Sequence, residues 1–344
     1  MKNIIIGSVS ENTGKTSFII GLAKAIGKKF GYLKPFGDNL IYRKKRLWDY
    51  DAALITNIFN LEQNSDEMTI GFEHSKLRFM YDEAGTKAKL MEMVSHLEKS
   101  SEILFIEGGK KITYGTSVRL DTLSLAKYTG GKLILVISGD EGAIADDITF
   151  IKKYVKAADI NCGAIINKIN NVNDFRENHL PDIEKLGMDI LGVIPNEPQL
   201  TYHTMSYLAE KLQARIIAGE NGLSNRIKHI FIGSKAADSA VRDPNFNQED
   251  KLIITSGDRS DFIASVLVVP ASGLILTNNI LPPPYLLSKL SEKNIPVLLV
   301  PYDTFETAQQ VDMAKAMLTK DDTENIALLE KIIRQNVDID NIVK

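Results

Sequence analysis

Cysteine is nearly missing from these 344 residues: Cys162 stands alone, beside a single tryptophan and five histidines. One thiol excludes an internal disulfide and any zinc site built from several cysteines. The histidines are scattered and form no pair at metal-ligand spacing. Long apolar runs are missing too. No stretch reaches the roughly 20 residues that cross a bilayer, and the amino terminus enters an apolar segment without the charged start and cleavage site of a signal peptide. The expectation is a cytoplasmic protein with no membrane association. Nor is there an excess of charge: a net charge of -3 gives no general attraction to nucleic acid or to an anionic membrane. Internal repeats and low-complexity segments are absent.

What remains is the composition of an ordinary globular chain, 44% apolar and 25% charged. Its length suggests about two domains, each large enough for a core of its own. Cys162, set between Ile160 and Ile166, reads as a buried core thiol.

The most informative stretch is Ile4-Ile5-Ile6-Gly7-Ser8-Val9-Ser10-Glu11-Asn12-Thr13-Gly14-Lys15-Thr16. An apolar strand leads into a small polar loop, and Gly14-Lys15-Thr16 closes it. From Ser17, the residues Phe18, Ile19, Leu22, Ala25 and Ile26 recur at helical spacing. Strand, loop, Gly-Lys-Thr and helix make a phosphate-binding loop. Its backbone N–H groups and helix N-terminus face an anion, Lys15 reaches the outer phosphates, and the Thr16 hydroxyl can ligate Mg²⁺. The usual first glycine of the motif would stand at Val9; the upstream glycine is Gly7, so the loop is longer or shaped differently. Ser10 to Ser17 are the expected nucleotide-binding residues.

Gly31 to Gly37 reads as a short strand ending in a Lys34-Pro35 turn. In a parallel sheet this strand ends on the same edge as the first, where ligands bind in open α/β folds, so Lys34 is placed to add a second cation beside the phosphates. The run Arg43-Lys44-Lys45-Arg46 is a solvated face or a local attractant for an anion. Asp49 and Asp51 open an apolar helical pattern, either as a simple cap or as a Mg²⁺ ligand. After a polar, helical stretch (60–100), Glu102 to Gly109 is a buried strand ended by Glu107, the position where such folds hold the metal or its water. Strands at Lys132–Ser138, Cys162–Asn167 and Ile190–Ile194, with a helix over Asp146–Ala157, continue the βαβ rhythm of a mostly parallel sheet. Met205–Leu212 is a connecting helix. From Ala214 the pattern restarts with strands at 214–218, 229–233, 252–255, 273–277 and 297–301 and helices at 236–242, 259–266 and 285–293. Gly257-Asp258-Arg259-Ser260-Asp261 is a charged turn, and Thr323–Arg334 an amphipathic helix.

Four ordered pieces, Ser10–Thr16, Leu33-Lys34-Pro35, Asp49/Asp51-Ala52 and Ile106-Glu107-Gly108, resemble the dethiobiotin synthetase-like P-loop domain. The likeness is closest to the N-terminal region of long-form bacterial phosphotransacetylase, where such a domain precedes a DRTGG domain. Gly257–Asp261 is similar to the signature of that second domain, without its Thr-Gly-Gly. The resemblance implies a mostly parallel P-loop NTPase-like sheet over 1–212, a smaller DRTGG-like α/β domain over 213–320, and a helical tail, 321–344. It implies ATP and Mg²⁺ as cofactors, Lys15 and Lys34 as the catalytic cations on phosphates, Thr16, Asp51 and Glu107 around Mg²⁺, and Asn167 reading the base, with a strand-end amide cap as the other reading of Asn167. It also implies a homo-oligomer.

The acetyltransferase domain of the long enzyme is not among these residues, so acetyl transfer is not implied. The leading expectation is a nucleotide-dependent regulatory or sensor protein, with a protein partner engaged through the second domain. The alternative is an ATP-dependent ligase or carboxylase of the dethiobiotin synthetase or cobyrinic acid a,c-diamide synthase type, acting on a small carboxylate or amine.

Overall fold

The computed structural model describes residues 1–43, 46–233, 242–314 and 318–344. In chain order the first part contains β1 (Lys2–Gly7), α1 (Lys15–Ile26), β2 (Phe30–Leu33), β3 (Leu40–Arg43), β4 (Arg46–Asp49), α2 (Tyr50–Phe59), α3 (His74–Met80), α4 (Glu83–Glu98), β5 (Ile103–Glu107), α5 (Thr122–Thr129), β6 (Lys132–Ile137), α6 (Glu141–Ala157), β7 (Cys162–Ile169), α7 (Val172–Asn178), α8 (Leu180–Lys185) and β8 (Asp189–Pro195). Six of these strands form one parallel sheet in the order β2-β5-β1-β6-β7-β8. The apolar runs Ile4–Ile6, Ile103–Ile106 and Leu133–Ile137 are buried throughout, as strands covered by helices on both faces must be. Parallel pairing puts the C-terminal ends of β1, β2 and β5 on one edge, and the residues just past them form the candidate site.

The second part contains β9 (His203–Thr204), α9 (Met205–Lys211), β10 (Arg215–Ala218), β11 (Arg226–Ile227), β12 (His229–Ile232), β13 (Lys251–Ser256), α10 (Ser260–Val266), β14 (Gly273–Thr277), α11 (Pro284–Glu292), β15 (Val297–Leu299) and α12 (Thr304–Asp312). Its sheet runs β10-β15-β14-β13-β12; β12 to β15 are parallel and β10 is antiparallel at the edge. Phe262, Ile263, Leu286 and Leu290 cover one face, while Met205, Leu208 and Val311 belong to the core on the other. The helix expected at 236–242 falls almost wholly outside the described residues, as does the middle of the basic run, Lys44-Lys45.

The chain then adds α13 (Thr323–Asn336) and α14 (Ile339–Val343). These pack on the first part. α13 lies against α1 so closely that a Cβ on Gly21 would come within 2.7 Å of Ile333 and 2.9 Å of the Leu329 carbonyl. Val337 bridges to Gly192 of β8. The two compact units are accordingly Met1–Glu197 with Lys320–Lys344, and Pro198–Thr319. Two boundaries differ from the sequence expectation. The 321–344 tail is not separate, because Ile326, Leu329, Ile332 and Ile333 are all buried. The break expected at 212 comes earlier, because Met205 and Leu208 of α9 share a core with Leu252, Ile254 and Leu298.

Candidate functional site

Beyond β1 the backbone turns through Ser8 to Gly14, with Asn12 at φ 59° and Gly14 at φ 95°, both left-handed. Gly14 is dictated twice over: by that conformation, and by a contact in which any Cβ would lie 2.7 Å from Asn167 Nδ2. Asn167, in β7, donates Nδ2 to the Thr13 carbonyl at 2.7 Å, and Lys168 donates Nζ to the Asn12 carbonyl at 2.7 Å. The amide of Asn167 thus braces the loop. Gly14 caps α1 without a side-chain acceptor, so the positive end of the helix faces the loop unshielded. The buried Thr13 Oγ1 has no partner among the described residues.

Two ammonium groups and four carboxylates crowd the strand ends beside this loop. Lys15 donates to Ser8 Oγ at 2.8 Å and to the Lys110 carbonyl at 3.2 Å. The Thr16 hydroxyl donates to Glu107 Oε1 at 2.9 Å, and the buried Tyr32 hydroxyl donates to Glu107 Oε2 at 2.8 Å. Lys34, 2% exposed, is enclosed by Asp51, by Asp38 at 2.7 Å and by Asp49 at 3.4 Å. Asn39 Nδ2 holds the other Asp51 oxygen at 3.1 Å. Asp49 resolves the choice between cap and ligand for itself. Its Oδ1 accepts the N–H groups of Asp51 and Ala52 at the start of α2, and its Oδ2 accepts those of Asp38 and Asn39.

Burial and mutual charge set the protonation of the cluster. Desolvation pushes Glu107 up to about 7, with Asp51 adding to the rise and Lys34, Lys15 and the Tyr32 hydroxyl opposing it. Asp49 is pushed up to about 6, first by burial, against Lys34. Burial lowers Lys15, and Lys34 adds to that, while Glu107, Asp38 and Asp51 resist. For Lys34 burial also pulls downward, but Asp51, Asp49, Glu107 and Asp38 outweigh it and hold the ammonium well above its ordinary value. Both lysines are compensated cations within a cluster that carries more carboxylates than ammoniums.

The donor set fits a hard divalent cation. Two neighbouring ligands of an octahedral Mg²⁺ at about 2.0–2.1 Å lie about 2.9 Å apart, and Thr16 Oγ1 and Glu107 Oε1 are separated by 2.9 Å. Asp38, Asp49 and Asp51 each bring an oxygen within 4.8 Å of the others, gathered around the Lys34 ammonium. With both Asp49 oxygens held by backbone N–H groups, Asp51 and Asp38 are the members left to turn toward a cation, and the buried Asp38 Oδ2 has no partner among the described residues.

Of the residues expected from the sequence, Lys15, Thr16, Lys34, Asp51 and Glu107 come together in this cluster. Thr13, Gly14 and Asn167 form the braced loop. Ser17 is half-buried in the first turn of α1, and Ser10, Glu11 and Asn12 are exposed, with Glu11 facing Lys110 at 3.5 Å. Tyr32, Asp38, Ser8 and the Lys110 carbonyl were not singled out. Tyr32 and Lys34 stand two apart, the period of one strand face, and Asp38 follows Lys34 by four. Those were the available signals. In the second unit the Arg259 guanidinium lies over Phe262 at 4.9 Å and donates to the Gly233 carbonyl.

The AAA domain family matches residues 2–204 and the DRTGG domain family residues 207–314. Phosphate acetyltransferase of Nitrosomonas europaea is 25% identical over 371 aligned positions, covering 100% of this chain and 52% of its own length. That of Synechocystis sp. is 22% identical, covering 98% of this chain and 50% of its own length. The chain spans about half the length of the curated relatives it matches. Among solved structures, the MinD cell division protein of Aquifex aeolicus aligns with a TM-score of 0.37 and 18% identity, covering 58% of this chain and 84% of its own. The CBS and DRTGG domains of the regulatory region of Clostridium perfringens pyrophosphatase, complexed with the activator diadenosine tetraphosphate, align with a TM-score of 0.29 and 20% identity, covering 38% of this chain and 60% of that one. With its first 200 residues matched from strand β1 through β8, the chain belongs to the AAA domain family and carries a DRTGG domain behind that P-loop domain.

Proposed function

We propose that the first unit binds ATP with Mg²⁺ and that the chain is a nucleotide-dependent regulatory or sensor protein, with the DRTGG domain as the part that responds or engages a partner. The reading is carried by one observation: Lys15 and Thr16 open α1 beside a braced loop, with Glu107 Oε1 2.9 Å from the Thr16 hydroxyl. In it the loop and the α1 N-terminus hold the phosphates, Lys15 and Lys34 supply ammonium groups to their outer oxygens, Thr16, Glu107 and Asp51 hold the Mg²⁺, and Asn167 lies beside the base. Bound there, Mg²⁺ would neutralise phosphate charge. Lys15 must exchange its Ser8 and Lys110 acceptors for phosphate oxygens, and Lys34 must leave at least one carboxylate.

A second reading, an ATP-dependent ligase acting on a small carboxylate or amine, is favoured by the second ammonium at the end of β2. In-line phosphoryl transfer asks chiefly for cations around the moving group. Phosphate release measured with ATP, Mg²⁺ and a panel of carboxylates and amines separates the two. The sensor reading expects binding with slow turnover that no member of the panel stimulates; stimulation by one of them would replace it with the ligase.

A further inference from the structure

At the far end of α1, β2 and α2 from the phosphate-binding loop lies a cavity of about 370 Å³, within the range of roughly 300–1,000 Å³ typical of small-molecule sites. Its apolar wall is aromatic: Phe30 and Phe59 meet edge to face with ring centroids 4.9 Å apart, and Leu61 and Leu97 complete it. Its polar groups carry both signs. Lys28 and Lys29 line it and are exposed, Lys28 facing Glu102 at 4.0 Å; Lys24 lies over the Phe59 ring at 5.0 Å, and Glu62 and Gln63 line the cavity as well. The buried Gln63 Oε1 has no partner among the described residues. The last turns of α1 and α2 also end here, adding the partial negative charge of two helix C-termini.

An apolar wall, ammonium groups and a set of acceptors together describe one kind of ligand. We infer that this cavity binds a free α-amino acid with an aromatic or large aliphatic side chain. The side chain fills the Phe30–Phe59–Leu61–Leu97 wall, the carboxylate meets Lys28 and Lys29, and the ammonium meets Glu62 and the Gln63 oxygen. A simple anion would leave the acceptors unmatched, and a simple amine the lysines. The inference does not rest on nucleotide binding, since the P-loop contributes no lining residue.

Calorimetric titration of the full chain with L-phenylalanine, phenylacetate and phenethylamine tests it. L-phenylalanine is expected to bind saturably, and each analogue lacking one charge up to about fivefold more weakly, the upper scale of one exposed ion pair. Glu62→Gln, and the double variant Lys28→Gln with Lys29→Gln, change exposed side chains only and should each weaken L-phenylalanine by a similar factor. Lys15→Ala should leave it unchanged. No saturable heat with L-phenylalanine, equal binding of either analogue, or loss in Lys15→Ala with no effect of the cavity variants would overturn the assignment.

Discussion

Lys34 is the side chain on which the charged cluster most depends. Its ammonium offsets Asp38, Asp49 and Asp51, whose side chains are 6%, 0% and 13% exposed. Removing one partner of a buried ionic group leaves uncompensated charge and costs about 3–5 kcal/mol. Lys34→Met is expected to lose that much stability in urea unfolding, and Lys34→Arg to lose less. Glu107 makes a pH prediction of definite sign. Its carboxyl is raised from 4.5 to about 7 in the folded chain, so folding takes up a proton between those values. The stability tied to the protonated form is fully present below 4.5 and lost as the pH rises through 7. Glu107→Gln, permanently neutral, should flatten the stability profile over that window, with a wild-type-to-variant difference of at most about 3 kcal/mol, as a shift of that size implies. A profile unchanged by the substitution would show that Glu107 is ionised in the fold. Lys15, Thr16 and Glu107 were legible because Gly-Lys-Thr and an acid ending an apolar strand each follow a local rule. The carboxylate cage around Lys34 was less so: Asp38 stands four residues on, in a loop with no helical or strand period to mark it, and Asp49 reaches the ammonium only after the chain has turned back through β3 and β4.

Among the elements, α13 shows what a sequence gives and withholds. Its spacing announces an amphipathic helix, but nothing local says which surface receives the apolar stripe. The answer lies some 300 residues earlier, at Gly21 of α1, where the missing Cβ admits the Leu329–Ile333 turn. Gly21→Leu should lift α13 and accelerate amide exchange over 323–336, while α1, a buried helix with Phe18, Ile19 and Leu22 at its core face, keeps its own protection. The β3–β4 hairpin was missed for the opposite reason. Leu40, Tyr42 and Leu47 are exposed, Tyr42 at 73%, so neither face has the apolar and polar alternation that marks a half-buried strand. Helix α6 starts five residues before the expected Asp146 because Asp140 caps it, accepting the Ala143 N–H at 2.8 Å. The cap, not the apolar period, sets that end.

At the scale of the whole chain, the return of α13 and α14 to the first unit means that unit is completed only when residues 320–344 have been made. Four buried aliphatic side chains on α13, at up to about 1.5–3 kcal/mol each, an upper estimate given a compact unfolded state, make 320–344 part of the fold. Deleting 320–344 is expected to lower the melting temperature of the first unit and expose apolar surface to dye, with the second unit's transition unmoved. ATP with Mg²⁺ should raise the calorimetric transition of 1–197 with 320–344, the unit that carries the loop, because a ligand stabilises the unit that binds it. The parallel character of the first sheet and the restart of the strand pattern after Ala214 followed from the sequence; the strand order and the return of residues 320–344 to the first unit did not, because both depend on long-range contacts.

Titrating ATP into the full chain by calorimetry, with and without Mg²⁺ and against Lys15→Ala, bears most directly on the nucleotide site. Saturable binding of one ATP per chain that requires Mg²⁺, and is at least about tenfold weaker in Lys15→Ala, as the loss of a charged hydrogen bond implies, is the expected result. Absence of binding to folded protein with Mg²⁺ present, or equal affinity in Lys15→Ala, would contradict it.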